Sequence, residues 1–348
     1  MKKRSLWLSC IAILSLILVV TGCGGAATTK KSGETNVLYY VNGSLGDKGF
    51  VDSAQRGIEK ARKELGIKTK TVEGGTNQAD WASGLESLIS GGKYDLVVVG
   101  TSQMVDSVKE LSQRYPDVKF IFFDDVVKDS PNVYSMTYSQ SDGSFLAGAF
   151  AGLVTTSKEL KAANPDKVIG FIGGQDIPII NDFKYGYEQG AKYIDPQIQV
   201  VASYVGDFVN APKAKDQALS QYNTQKVDIS FNVAAGAGLG LLEASHDVGK
   251  YSIGVDSNQN ALYPGSVLTS MMKNIDESIF RALSMYKEGK LKFGTHEVLG
   301  LKEKGVGLAK DKLYEEHVPK DIQDKMKEIE QKLVNGDIQV KSLLKNNK

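Results

Sequence analysis

Short apolar runs rich in Val, Ile and Phe recur along the chain, each followed by a stretch in which apolar residues return every three or four positions. The runs predict ten strands, over 37–41, 68–72, 96–99, 119–123, 133–136, 168–172, 198–204, 227–233, 251–255 and 267–271. The intervening periodicity predicts helices over 54–65, 80–90, 104–115, 144–153, 182–193, 212–221, 238–246 and 276–288. Strands alternating with helices imply βαβ units and parallel sheets. Runs such as Leu96-Val-Val-Val99, apolar at every position, fit strands covered on both faces. Ten strands are too many for one comfortable sheet, and the pattern restarts: 167–174 leading into a helix near Asp182 echoes 36–49 leading into Ala54. The expectation is therefore two similar α/β lobes, with a boundary near 137–144 and further crossings near Lys273 and 289–295. A binding cleft belongs between them.

The loop from Asn42 to Asp52 sits where a strand gives way to a helix, the usual ligand-binding position of an open α/β sheet. Its three glycines permit tight folding, and Phe50 is a large apolar side chain among polar neighbours. Other strand ends carry polar groups as well: Asp124-Asp125, Gly173-Gly-Gln-Asp176, Phe231 to Gly236, Asp256 to Gln259, and the single cation Lys273. A carboxylate accepts two hydrogen bonds from a vicinal diol, and a lysine between two carboxylates keeps them ionised. Helix capping or surface ion pairing is the alternative use of each such group, and Asp125 suits that use better than Asp124.

Catalytic and metal motifs are missing from the sequence. Gly92-Lys93, Gly249-Lys250 and Gly289-Lys290 are followed by Tyr, Tyr and Leu, not the Ser or Thr of a phosphate loop. Gly236-Ala-Gly238-Leu-Gly240 resembles a dinucleotide loop but has Leu241 where that loop requires its last glycine, and His246, His296 and His317 lack zinc-ligand spacing. Neither an enzyme activity, a cofactor nor a metal is expected. A net charge of +1 without a basic stripe argues against nucleic acid as a partner.

The amino terminus has Lys2, Lys3 and Arg4, then an apolar run from Leu6 to Val20 that is short for a membrane span. Val20-Thr-Gly-Cys23 follows and resembles the lipobox of bacterial lipoproteins. That resemblance implies a signal peptide over 1–22, lipidation of Cys23 with a fatty acid such as palmitate, and anchorage on the extracytoplasmic face of the cell membrane. Cys10 would leave with the signal, so no intrachain disulfide is expected. The small, polar stretch to residue 35 reads as a tether.

Six segments in order carry a wider resemblance: Asp47-Lys-Gly-Phe-Val-Asp-Ser, Gly143-Ser-Phe-Leu-Ala-Gly148, Gly173-Gly-Gln-Asp-Ile-Pro178, Phe231-Asn-Val-Ala-Ala-Gly236, Gly254-Val-Asp-Ser-Asn-Gln259 and Leu268-Thr-Ser-Met-Met-Lys273. Together they resemble the basic membrane protein family of substrate-binding lipoproteins, which includes bacterial purine nucleoside receptors. The resemblance implies a type I periplasmic-binding-protein fold, two doubly wound parallel-sheet lobes joined by a multi-strand hinge. Lobe 1 would comprise 36–137 and 273–294, and lobe 2 138–272 and 295–348. It also implies a monomer that delivers nucleosides to an ABC permease and its ATPase. Phe50 and Phe231 would sandwich the base, with Phe208 a rival for the second face. Asp124, Asp256 and Lys273 would hold the ribose, Asn42 and Asp47 would lie near the base or its entrance, and Gly236 would join the contacts. Thr101 after Gly100, Val51 and Asn42 depart from the family pattern. A sugar or signal receptor of the same fold is the alternative, and a nucleoside hydrolase a more distant one.

Overall fold

A computed structural model describes residues 35–344, so the expected signal peptide, Cys23 and nearly all of the tether lie outside the described residues. The first lobe is built in the order β1 (Asn36–Val41), α1 (Phe50–Leu65), β2 (Lys68–Glu73), α2 (Trp81–Ile89), β3 (Leu96–Gly100), α3 (Val105–Arg114), β4 (Lys119–Phe123) and β5 (Val133–Tyr138). The second repeats the scheme with α4 (Gln140–Thr155), β6 (Val168–Gly173), α5 (Pro178–Ile194), β7 (Gln199–Tyr204), α6 (Ala211–Thr224), β8 (Val227–Val233), α7 (Leu239–Asp247), β9 (Tyr251–Asp256) and β10 (Val267–Lys273). The chain then returns through α8 (Ile275–Lys287) and β11 (His296–Leu299) and ends with β12 (Val306–Leu308), α9 (Lys312–His317) and α10 (Lys320–Asn335).

Two six-stranded sheets result, ordered β2-β1-β3-β4-β5-β11 and β7-β6-β8-β9-β10-β12. Every pairing is parallel except β10 with β12. The orders are the same doubly wound arrangement, in which connections leave the second strand of each sheet in opposite directions and open a crevice at its carboxyl end. Alternation along β1 shows how both faces are covered. Leu38 and Tyr40 pack with α2 and α3, whereas Val37, Tyr39 and Val41 face Ala54, Ile58 and Ala61 of α1 and Ile279 and Leu283 of α8.

The third crossing between lobes differs from expectation. The chain passes from one sheet to the other after Tyr138, after Lys273 and again over 300–305, because His296–Leu299 still pairs with β5 of the first sheet. The first lobe therefore takes residues to Leu299, and Lys273 ends a strand of the second sheet. The cause is local: β11 is a short edge strand of four residues whose two exposed positions are one polar, His296, and one apolar, Val298, so its pairing register, not its pattern, defines it.

Candidate functional site

The carboxyl ends of the two sheets face each other across a cavity of about 430 Å³, within the ~300–1,000 Å³ typical of small-molecule sites. From the first lobe, Asn42 follows β1, Asp47 and Phe50 lead into α1, Thr101 follows β3 and Asp124 follows β4. From the second, Phe183 projects from α5, Phe208 follows β7, Gly236 follows β8, Asp256 ends β9 and Lys273 ends β10. Asp124 and Asp256 occupy equivalent places in the two repeats, each at the end of the fourth strand of its winding. Both have left-handed backbones, φ 76° and 64°, and Thr101 has φ 76°. Such conformations cost ~1–3 kcal/mol each in residues other than glycine and gather where a side chain must be aimed.

One cation organises the polar end. Lys273 is 2% exposed, and its Nζ lies 2.5 Å from Asp124 Oδ1. The same ammonium lies 4.9 Å from the ring centre of Phe183, 5.4 Å from that of Tyr138 and 5.6 Å from that of Phe50. The rings' negative faces help to compensate its removal from water. Asp256 is 7% exposed, and its carboxylate has no hydrogen-bond or ion-pair partner among the described residues. Burial pushes its pKa up to about 7; Lys273 opposes the rise, and the nearby Asp124 and Asp47 carboxylates add to it. Lysine thus pairs directly with one of the two strand-end carboxylates and leaves the other open to the cavity.

Asp47 has a second task. Its oxygens accept hydrogen bonds from the N–H groups of Gly49 (2.9 Å), Val51 (3.0 Å) and Asp52 (3.2 Å), which caps the start of α1. Burial nonetheless raises its pKa. Asn42 Nδ2 donates to Thr101 Oγ1 at 2.7 Å, joining the ends of β1 and β3.

Among the aromatic residues, Phe50 packs on Phe123 at 5.5 Å and lines the cavity. Phe208 also lines it, lying over Gly174, where a Cβ would come within 2.3 Å of the ring. Phe231 is corrected by the structure: it is 0% exposed and packed among Phe171, Tyr187 and Phe183, at 6.0, 5.3 and 6.5 Å. It sits two residues before the end of β8, below the rim, so it supports Phe183 from behind and does not face the cavity. Phe183 and Thr101 join the cavity lining beyond the site residues expected from the sequence. For Phe183 a signal existed, since α5 is the repeat's counterpart of the helix that begins at Phe50.

Two lobes closing over a cavity of this kind define a type I ligand-binding protein, built to capture a small molecule at the lobe interface. The comparisons with known proteins make this more particular: the chain belongs to the family of PnrA-like ABC transporter substrate-binding proteins, whose model matches residues 34–343. It is 31% identical over 338 residues to basic membrane protein A2 of Borrelia garinii, covering 94% of each chain. It is 29% identical over 367 residues to a CD4+ T-cell-stimulating antigen of Listeria innocua, covering 98% of this chain and 99% of that one. A solved solute-binding protein of an ABC transporter system from Aeropyrum pernix superposes with a TM-score of 0.80 at 24% identity, over 89% of this chain and 94% of that one. A similar protein from Conexibacter woesei gives 0.70 at 20% identity, over 89% and 99%. The family and fold are those of substrate-binding proteins, which are not enzymes, and the family acts outside the cytoplasm. No described helix is long and apolar enough to cross a membrane.

Proposed function

We propose that the protein captures nucleosides, purine nucleosides foremost, between its lobes and presents them as a monomer to an ABC permease and its ATPase. In this reading it is held at the extracytoplasmic face of the cell membrane by a lipid on Cys23. The supporting observation is that Asp256 and the Asp124–Lys273 pair share one cavity with Phe50 and Phe208, which come from opposite lobes. The two rings offer stacking faces for a base. Asp256 and Asp124 accept hydrogen bonds from the neighbouring hydroxyls of a ribose, Lys273 donates to the same sugar, and Asn42 and Thr101 are polar groups for the base edge. Gly236, with no side chain, leaves room at the rim.

The energies suffice. Base–aromatic stacking contributes ~1–3 kcal/mol per base, and hydrogen bonds to charged groups ~1.5–3 kcal/mol each. A few of these exceed the ~8 kcal/mol of a micromolar complex. Lobe closure then follows as a population shift toward the form in which the ligand touches both lobes.

Calorimetry with inosine, adenosine, AMP, ribose and arabinose tests the reading. Inosine and adenosine are expected to bind, and AMP to bind at least tenfold more weakly, since its phosphate would share a cavity with Asp47, Asp124 and Asp256 against one ammonium. Tighter binding of free ribose or arabinose would replace it with the sugar-receptor reading. Incorporation of labelled palmitate, lost in Cys23→Ser, tests the anchor.

A further inference from the structure

The segment Gly254-Val-Asp-Ser-Asn-Gln259 does more than place Asp256. One residue later, Ser257 reaches the other lobe: its Oγ donates to the Gly49 carbonyl at 3.0 Å and accepts from Arg56 Nη2 at 2.8 Å. Two residues further, Gln259 Nε2 donates to the Lys48 carbonyl at 3.2 Å. The Gln259 amide is 1% exposed and seated on its own lobe, where its Oε1 accepts from Val255 N at 3.0 Å and its backbone N–H donates to Ser270 Oγ at 3.0 Å. Gly254 leaves the space for that seat, since a Cβ there would lie 2.7 Å from Gln259 Oε1. The accepting carbonyls belong to residues between Asp47 and Phe50. The turn that carries one lobe's carboxylate is thus bonded to the loop that carries the other lobe's ring.

We propose that Ser257 and Gln259 form a latch between the lobes, positioning residues that hold Asp256 and Phe50 in register and govern how long a captured ligand stays. Both side-chain bonds of Ser257 run to the first lobe, so removing its hydroxyl subtracts inter-lobe bonding and leaves its own lobe intact. The lobes are also joined by the Lys273–Asp124 pair within the cavity and by a bond from Gln103 Nε2 to Gln175 Oε1 at 3.3 Å, which links partly exposed amides near the mouth and competes with water. The Ser257 and Gln259 side chains are themselves buried, and the bond from Ser257 to the Gly49 carbonyl is buried with them, so it is not readily exchanged for water; the bonds to Arg56 and to the Lys48 carbonyl are partly buried.

The latch rests on capture between lobes, and only its kinetic test uses the proposed nucleoside. Inosine release from the full chain can be followed by stopped-flow fluorescence of Trp81, which lines the cavity. Ser257→Ala is expected to raise the dissociation rate about tenfold, equivalent to ~1.4 kcal/mol, with association changed less than about twofold and thermal stability little altered. Ser257→Thr, which keeps a hydroxyl, should restore slow release. In X-ray scattering without added ligand, Ser257→Ala should show a larger radius of gyration than the parent and Ser257→Thr. Parent-like release together with parent-like scattering in Ser257→Ala would overturn the latch. Failure of the parent to bind inosine would count against the nucleoside reading alone, and the scattering result would then decide the latch by itself.

Discussion

Asp256 shows how a single side chain can be costly for the fold and useful to the site. Its pKa of about 7 in the folded chain lies above the ~3.9 of an unfolded aspartate. Between those values the folded state binds more protons than the unfolded state, so stability declines as pH rises from about 4 to 7 and is level above that window. Asp256→Asn is therefore expected to be the more stable protein at pH 8, by about 3–4 kcal/mol as an upper figure, with the advantage vanishing near pH 4; denaturant melts at both pH values check this. The same substitution, like Asp256→Ala, should weaken inosine binding at least tenfold, because a neutral amide cannot accept both hydroxyls. In the parent, a carboxylate that must be ionised to accept them makes affinity rise between pH 6 and 8. Calorimetry in buffers of differing ionisation enthalpy should register the released proton. Lys273→Met removes the cation 2.5 Å from a buried carboxylate and should cost ~3–5 kcal/mol of stability, as breaking a buried pair does, along with nucleoside binding. Unchanged melting of that variant would contradict the buried pairing of Lys273 with Asp124.

At the scale of elements, strands β4 and β8 were legible to the residue, because continuous apolar runs between turn residues admit few other readings. The strand-end carboxylates Asp124 and Asp256 were legible too, since each follows such a run directly. Helix starts were less so: α4 begins at Gln140 and α5 at Pro178, four residues before the periodic stretches expected at 144 and 182. Their first turns carry polar side chains that dock on tertiary partners, as Gln140 Nε2 does by donating to Asp182 Oδ2 at 2.8 Å. Short β11 and β12 are not legible in the sequence, because a strand of three or four residues has no periodicity of its own. The three phenylalanines can be separated by experiment. Phe50→Ala and Phe208→Ala are each expected to weaken nucleoside binding by ~1–3 kcal/mol with modest losses of stability. Phe231→Ala should cost ~3–5 kcal/mol of stability, as removal of a core aromatic does, and leave the affinity of the folded fraction close to the parent's. A Phe231→Ala protein that melts like the parent but no longer binds would reverse that assignment.

Across the whole molecule, the chain crosses between the sheets three times, and one continuous apolar cluster takes residues from both, from Tyr39 and Phe123 to Phe171 and Phe231. Neither lobe is a contiguous piece of chain. A chain cut after residue 294 would lose β11 from one sheet and β12 from the other, and it is expected to fail to fold as judged by near-ultraviolet circular dichroism. The intact chain should melt in one cooperative transition by calorimetry and circular dichroism alike. Two separated transitions would mean that the lobes are energetically independent despite their shared core.

The division between what could be read and what could not has a physical basis. Local hydrophobic periodicity dictates which residues extend and which coil, and a pattern that restarts dictates two similar halves; both are properties of neighbours along the chain. The ordered polar motifs marked which strand ends carry chemistry. Which aromatic ring looks into the cavity is another matter, because Phe208 and Phe231 differ only in depth relative to a rim that two sheets create together. The pairing of Lys273 with Asp124, the solitary carboxylate of Asp256 and the bonds from Ser257 and Gln259 to the opposite lobe join groups about 150 to 210 residues apart. Burial and distance exist for such groups only once the chain has folded back on itself, and those two quantities decide charge, affinity and closure here.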